Sequence, residues 1–512
     1  MTNEPMTNGG RRAPRGISIT WIARSASAIG IWSLVIGHCV VALAGEPIAI
    51  PAALHVHTTF SSGREDLDAV ARRARAAGLK AVLFSENYAL AFEYGFAPLG
   101  GFLRWRERFP SLAPEGLPAY LDAVRRARER HPDLILMPGL EVLPYYYWAG
   151  SLLDRAVTMH DGQKNLLVLG LERAEDLAAI PIVGNRRPLG AGEWAARLSP
   201  LLLAAAGVWV FRRRGVREER WRGFRVRRRR RHRVAGGALV VLGVLLAVNG
   251  MLAGASHWDP MRGPRGYAPH QEAIDFVAVR GGVTVWSLPD ARDHSVHRRA
   301  GLTVTVRTDP YPQALEATRG YTAFGALYWD TTTVEAPGGV WDRLLAEYLA
   351  GRRAGWPVAL GESAFHYEGQ AGKTLHDAQT VFLASAPTPA AVLDALRAGR
   401  AYAHLRPKDF ELVLEAFTVN GAGMGGTAPA PPGTPPRIAV ALRASDGRPR
   451  PVTVRLIRDG MVILERKGTA PVMISLEDRD APRAGAWYYR LDVRGEQGAR
   501  LLTNPIFVRV QG

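Results

Sequence analysis

Ala53-Leu-His-Val-His-Thr-Thr-Phe-Ser-Ser-Gly63 follows an apolar run, Ile48 to Leu54, interrupted by Pro51. The run reads as a strand. Side chains alternate along a strand, so His55 and His57 at i and i+2 project to one face. Two imidazoles on one face, followed by small hydroxyl residues and Gly63, form the nucleus of a metal site. A bare HxH also occurs as a pair of ordinary surface or capping histidines, so the flanking chain has to decide.

Downstream, Leu67, Val70, Ala71, Ala74 and Ala77 recur at helical spacing within Glu65–Gly78, and Gly78 is a natural stop. Residues 80–84 predict a strand ending in Ser85-Glu86-Asn87. Residues 115–130 predict a helix, 134–137 a strand ending in Pro-Gly-Leu-Glu141, and 165–171 another strand. Beyond 256 the pattern resumes with helix 271–279 and strands 283–286 and 302–306. Helix 340–349, strand 358–360 and helix 389–398 complete it. The strand at 358–360 runs into Gly361-Glu-Ser-Ala-Phe-His366. Alternating β and α units predict a mostly parallel sheet or barrel with its polar residues at strand ends. From about 410 the chain changes character. Runs at 438–444, 452–457 and 488–493 read as half-buried strands, and Asp459-Gly460 is a hairpin signal. A small all-β, sandwich-like domain is expected, joined through the Pro- and Gly-rich stretch 429–436.

The 512 residues carry a net charge of +18 and are 47% hydrophobic. Thirteen Arg against two Glu in residues 212–233 supply +11 of that charge, and the N-terminal tail (Arg11, Arg12, Arg15, Arg24, Glu4) supplies +3. Both basic blocks abut apolar segments, which marks them as topology determinants. A nucleic-acid-binding arm at 212–233 is the alternative, and the topology disfavours it. The single cysteine, Cys39, excludes an intrachain disulfide and a thiolate metal site.

Ile29 to Ala44 reads as a signal peptide or uncleaved anchor, with Ala42-Leu43-Ala44 in the form of a cleavage site. Val234 to Ala255 has spanning length and Asn249 as its one strongly polar residue. Leu198 to Phe211 spans only if it begins near Trp194 and Arg197 snorkels outward. The sequence on either side of this region belongs to one domain, so both segments cross or neither does. A hairpin dipping into the cytoplasm, with 212–233 at its tip, satisfies the positive-inside rule. The expected order is therefore a basic tail with signal or anchor (1–45), first barrel part (46–190), transmembrane hairpin (191–256), second barrel part (257–408) and β domain (409–512). The barrel and β domain would lie outside the cytoplasm. Tyr145-Tyr146-Tyr147-Trp148 could wall a cleft, but an interfacial aromatic belt is the expectation.

Together LHVHTTFSSG, KAVLFSEN, GLEV at 139–142, VLGL at 168–171, GGVTVWSLP, ALGESAFH and LDALRAGRAYAHL resemble the polymerase-and-histidinol-phosphatase (PHP) metallohydrolases. IRDGMVI and the closing Thr503-Asn-Pro-Ile are similar to the tail of the carbaryl-hydrolase-like branch. The resemblance implies a distorted (β/α)7 barrel and hydrolysis assisted by up to three metal ions. It assigns the first ion to His55, His57 and Glu141, with Ala364 where the family has Asp. The second ion shares Glu141, but its two His positions fall at about Asn165 and at Leu288. The third-site positions are Ser62, Asn87 and His366, with Glu86 preceding Asn87. A leucine cannot ligate, and Asn oxygens suit Zn²⁺ or Fe²⁺ poorly.

Two functions follow as expectations. One is a membrane-anchored hydrolase of an ester or phosphoester of a small molecule. It would hold at most one divalent ion (Zn, Mn or Fe) on His55, His57, Glu141 and His366, with Glu86 and His366 handling protons. The other is a catalytically inactive relative that keeps the barrel as a binding or interaction module at the membrane. The partners expected are the lipid bilayer and a small-molecule ligand, with no nucleic acid.

Overall fold

The structure, a computed structural model, describes residues 47–510 except 97–98, 152–153, 186, 222–223, 253–255 and 300. For 214–221, 224–231 and 299 it describes the backbone alone. The signal-or-anchor segment Ile29–Ala44 and its cleavage site lie outside the described residues.

The chain builds a mixed α/β fold around a ring of seven strands: β1 (Ile48–Val56), β2 (Ala81–Phe84), β3 (Ile135–Met137, continued past Pro138 as Gly139–Val142), β4 (Leu166–Leu169), β5 (Val283–Trp286), β6 (Ala323–Leu327) and β7 (Val358–Gly361). β1–β2, β2–β3, β5–β6 and β6–β7 pair in parallel. The ring closes where the segment after β7 returns to β1. There the Ser363 and Phe365 amides donate to the Leu54 and His55 carbonyls, and His57 N–H donates to the Phe365 carbonyl.

The sheet is less parallel than its sequence predicts. β4 runs antiparallel to both neighbours. The connection from β3 is not a helix but a strand excursion, Tyr147–Ser151 and Ala156–His160, which folds back before β4 begins. Asn165 therefore reaches the ring mouth from the start of its strand rather than the end. The predicted strand at 302–306 also leaves the ring: Leu302–Thr308 pairs with Asp293–Arg299 and Ala156–His160 in a four-stranded side sheet.

Helices cover the ring where apolar spacing places them. Leu67–Ala76 buries Leu67, Val70, Ala71 and Ala74, its first turn is capped by the Asp66 carboxylate on Ala69 N–H, and Gly78 follows at φ +78°. The Tyr145–Trp148 run is not an interfacial belt. Tyr145, Tyr146 and Trp148 are buried, and Tyr146 and Trp148 join Phe92, Val157 and Met159 in a satellite core. Their polar tips bond inward: the Tyr146 hydroxyl accepts from Glu93 N–H and the Trp148 indole donates to the Glu93 carbonyl.

Among the described residues, two helices are long and apolar enough to cross a membrane, Ala191–Arg212 (broken at Ser199) and Arg233–Leu252. Glycines let them pack closely: a Cβ on Gly207, Gly236 or Gly243 would strike backbone of the facing helix. Their outer faces leave Leu202, Trp209 and Val241 exposed. The Arg-rich stretch between them is not an irregular loop. Arg214–Trp221 and Phe224–Arg231 pair as an antiparallel hairpin.

The C-terminal strands form two layers over one apolar core, and Asp459-Gly460 is the expected tight turn, with φ +49° and +81°. The layers are not set apart by a linker. Arg500–Thr503 pairs with Ala401–Leu405, which continues through Ala378–Ala384 to β1 in one sheet. Asn504, fully buried, locks the junction. Its Oδ1 accepts from Ala359 N–H of β7, and its Nδ2 donates to the Ala359 and Ala401 carbonyls. Asn504→Ala is expected to destabilise the fold by about 3 kcal/mol, since buried backbone groups lose their partners. A thermal melt checks this, and an unchanged melting temperature would remove Asn504 from that role.

Candidate metal centre

The HxH motif does not sit on a regular strand. β1 bulges between Leu54 and Val56, and His55 adopts φ +67°. His57 lies one residue past the end of β1. The bulge, rather than strict alternation, turns both rings toward Glu141. Leu288 and Ala364, which also border the site, have φ +43° and +45°.

The following residues hold that bend. Ser61 and Gly63 amides return to the Thr58 carbonyl, and a Cβ on Gly63 would press into the His57 carbonyl. Glu86, expected to handle protons, anchors this turn. It is fully buried, and both its oxygens are occupied by Thr58 N–H, the Thr58 hydroxyl and the Ser61 hydroxyl. Burial raises its pKa, against the opposing effect of these bonds.

At the centre, Glu141 Oε2 lies 3.4 Å from His55 Nε2 and 3.5 Å from His57 Nε2. Among the described residues these three are the group whose ligand atoms converge closely enough to hold a metal ion. His57 Nδ1 faces Ser61 Oγ at 3.4 Å, while its buried Nε2 has no hydrogen-bond partner. Asn165 donates to Glu141 Oε1 at 2.6 Å, and its own Oδ1 is buried without a partner. Buried polar atoms are ordinarily satisfied, so two orphans beside one carboxylate mark a place for a cation. The His₂Glu donor set fits a divalent ion of the zinc or iron type.

One residue of the site escaped the sequence reading. Glu362, at the end of β7 and fully buried, places Oε1 2.5 Å from His55 Nδ1. Ser287 Oγ donates to the same oxygen, and Leu288 N–H donates to Oε2. A carboxylate behind a ligating histidine fixes its tautomer and raises its basicity. The signal was present, a Glu directly after a buried strand in Gly361-Glu-Ser. Its partner, however, lies 307 residues away.

The electrostatics follow from this layout. Burial alone would lower the His55 pKa, but Glu141 and Glu362 raise it to about 10. Burial and then the charge of His55 push His57 well below the usual histidine range. Desolvation would raise the Glu141 pKa, yet His55, His57 and Asn165 hold it down at about 2.

His366 stands beside the converging trio. Its ring stacks on His57 with centroids 4.2 Å apart and planes within 5°. Ser62 Oγ lies 2.8 Å from its Nδ1, and Asn87 Nδ2 donates to Ser62 at 2.8 Å. Ser62, Asn87 and His366 are thus brought together, but as a hydrogen-bonded row. Burial and the nearby His55 lower the His366 pKa to about 4. Leu288 offers the site its backbone N–H through Glu362, and Ala364 offers no side-chain donor.

No family model matches the chain, and no curated protein matches it either. Several solved structures are similar, three of them as follows. The first is a two-domain protein from Bacteroides vulgatus containing a predicted PHP-like metal-dependent phosphoesterase. It is 9% identical over 87% of this chain and 90% of its own, with a TM-score of 0.33. The second is a candidate metal-dependent phosphoesterase from Bifidobacterium adolescentis, 18% identical over 64% of this chain and 91% of its own, TM-score 0.28. The third is an amidohydrolase from Chromobacterium violaceum with bound sulfate and no metal, 13% identical over 63% and 90%, TM-score 0.27. At such scores the functional reading is carried by the geometry of the site itself.

Proposed function

We propose that the chain is a membrane-anchored, PHP-like hydrolase of a phosphoester or ester that works with one divalent ion. The observation that carries this reading is the unpartnered, buried His57 Nε2 aimed with His55 Nε2 at a single oxygen of Glu141. His55, His57 and Glu141 would hold the ion, and the chemistry it supplies is Lewis-acid activation of water and of the substrate oxygen. The residues around it have separable tasks. Glu362 keeps a proton on His55 Nδ1 and so presents Nε2 as the ligand atom. Asn165 occupies Glu141 Oε1 and leaves Oε2 for the ion. Glu86 holds the turn that carries His57. His366, half-buried and neutral at physiological pH, is the group placed to take up a proton during hydrolysis.

The site has no side chains for a second or third ion at Asn165, Leu288, Asn87 and Ser62, which favours a reduced centre over a multi-metal clamp. The two apolar helices support anchoring in a bilayer. With 212–233 on the cytoplasmic side, the ring and the C-terminal layers lie on the outer face, and the bilayer and a small-molecule substrate are the partners.

Elemental analysis of the purified full-length protein is expected to find about one equivalent of divalent metal. The His55→Ala/His57→Ala protein is expected to hold none and to lose hydrolysis of aryl phosphate and aryl ester substrates. Metal-free wild type, or metal without any hydrolysis, would leave the binding-module reading in its place. Protease access to 212–233 from the cytoplasmic side alone checks the topology, and access from outside overturns it.

A further inference from the structure

A second site lies where the apolar helix pair joins the globular part. An open cavity of about 710 Å³ is lined by the strand pair Ala91–Gly95 and Arg104–Arg108, the start of the first helix, Asn249 of the second, and the segment 256–265. That volume suits a small-molecule ligand. Asn249, the polar exception in its apolar segment, builds one wall. Its Oδ1 accepts from the Gly101 and Phe102 amides, and Gly101 approaches so closely that a Cβ would collide with the Asn249 carbonyl.

The lining is strongly unbalanced in charge. It contains six Arg and three carboxylates. Every carboxylate already has a cation: Glu93 takes both Arg104 and Arg106, Glu193 takes Arg187, and Asp259 takes Arg262. Arg197 donates to the Gly250 carbonyl, and Arg265 stands beside the Tyr145 hydroxyl. Six guanidinium groups against three carboxylates around one cavity favour an anion, and guanidinium forks match the oxygens of phosphate. Phe102, Leu103, Trp194, Leu198 and Met261, which border these residues in the chain, are large, apolar and exposed. An anion with an apolar body satisfies both features, whereas a free anion satisfies only the first.

We propose that this cavity binds the phosphate of an anionic phospholipid headgroup, with the acyl chains leaving along the exposed apolar side chains. The proposal rests on the membrane-spanning reading, which places the collar of the helix pair at headgroup depth, and it is independent of the metal centre.

Alkaline carbonate extraction of membranes containing the full-length protein separates the two readings. Release into the supernatant overturns the membrane reading and this proposal with it. Retention in the pellet leaves the cavity to be judged by binding. In detergent, native mass spectrometry with short-chain phosphatidylglycerol is expected to show saturable binding of one molecule, displaced poorly by inorganic phosphate. Arg106→Gln/Arg265→Gln removes two charges without stranding a carboxylate, because Glu93 keeps Arg104 and Tyr145 keeps its bond to the Gly263 carbonyl. This variant is expected to melt like wild type and bind the lipid about tenfold or more weakly. Glu93→Gln, which removes the negative charge that Arg104 and Arg106 face, is expected to bind it more tightly. Unchanged affinity in both variants, or no saturable binding, overturns the proposal. Equal binding of inorganic phosphate and lipid overturns the lipid assignment.

Discussion

Glu362→Gln is expected to weaken divalent-metal binding by about 10- to 100-fold while the fold persists, because carboxylates behind ligating histidines carry that much of the affinity. The physical reason is local. One Glu362 oxygen accepts from both His55 Nδ1–H and the Ser287 hydroxyl, and the other accepts from Leu288 N–H. A glutamine amide has one accepting oxygen, so one of these donors must then face an NH₂ group. His55 also loses a negative charge that sustains its basicity. Gly325 belongs to the same arrangement, since a Cβ there would land on the Glu362 carboxylate. Gly325→Ala should therefore reproduce the affinity loss by displacing the Glu362 carboxylate, with every ligand and its hydrogen-bond partner still present in the sequence.

The sign of the pH effect follows from the same contacts. With its pKa at about 10, His55 is protonated at pH 7 in the metal-free protein and must give up the Nε2 proton to bind. Binding should release about one proton per ion, and affinity should fall as pH falls. Calorimetry in two buffers of different ionisation enthalpy measures this. Metal affinity unchanged in Glu362→Gln, together with no proton release in wild type, would falsify the assigned role of the His55–Glu362 pair.

The largest stability effect is expected at Asp342. This residue of the helix Val340–Leu349 is 4% exposed and faces Arg490, which is 0% exposed on the strand Ala486–Gly495. Asp342 Oδ1 accepts from Arg490 Nε at 2.8 Å and from the Tyr488 hydroxyl at 2.7 Å. Its Oδ2 accepts from Arg490 Nη2 at 2.6 Å and from Gly338 N–H at 2.8 Å. Arg490 also lies over the Trp341 ring and donates to the Glu335 carbonyl. Asp342→Ala strands a guanidinium in a dry interface, and breaking such a pair from one side costs about 3–5 kcal/mol. Asp342→Leu/Arg490→Met removes both charges and should recover much of that loss. Thermal or denaturant unfolding of the three proteins checks both statements. A double variant no more stable than Asp342→Ala would show that packing, not the buried charge, sets the cost.

Several features were legible because their information is local. Helical spacing in Leu67–Ala76, the Asp459-Gly460 turn and the polar residues at the ends of β1, β2, β3 and β7 all follow from side-chain period and residue type. The strand Ala323–Leu327 carried no such signal: Ala323-Phe-Gly-Ala-Leu327 is wholly buried, so it neither alternates nor is rich in β-branched residues. The direction of β4 was hidden for a related reason. Leu166-Leu-Val-Leu169 is apolar throughout and reads alike whether the strand enters or leaves the ring mouth. The aromatic run Tyr145–Trp148 was ambiguous because amphipathic rings suit a membrane interface and a hydrogen-bonded core equally well.

By itself the sequence determined which chemistry is available: two imidazoles and a carboxylate of the metal-ligating type, a single cysteine, and two apolar segments flanking an arginine block. Only the tertiary structure decided how those groups are used. It bulged β1 at His55 so that both rings meet Glu141, brought Glu362 behind His55, and set Glu86 under the turn that carries His57. It also gathered Arg residues from four separate segments around one cavity. Residue type and spacing specify what a side chain can do. Which partner it meets depends on contacts between residues hundreds of positions apart, and those exist only once the ring has closed.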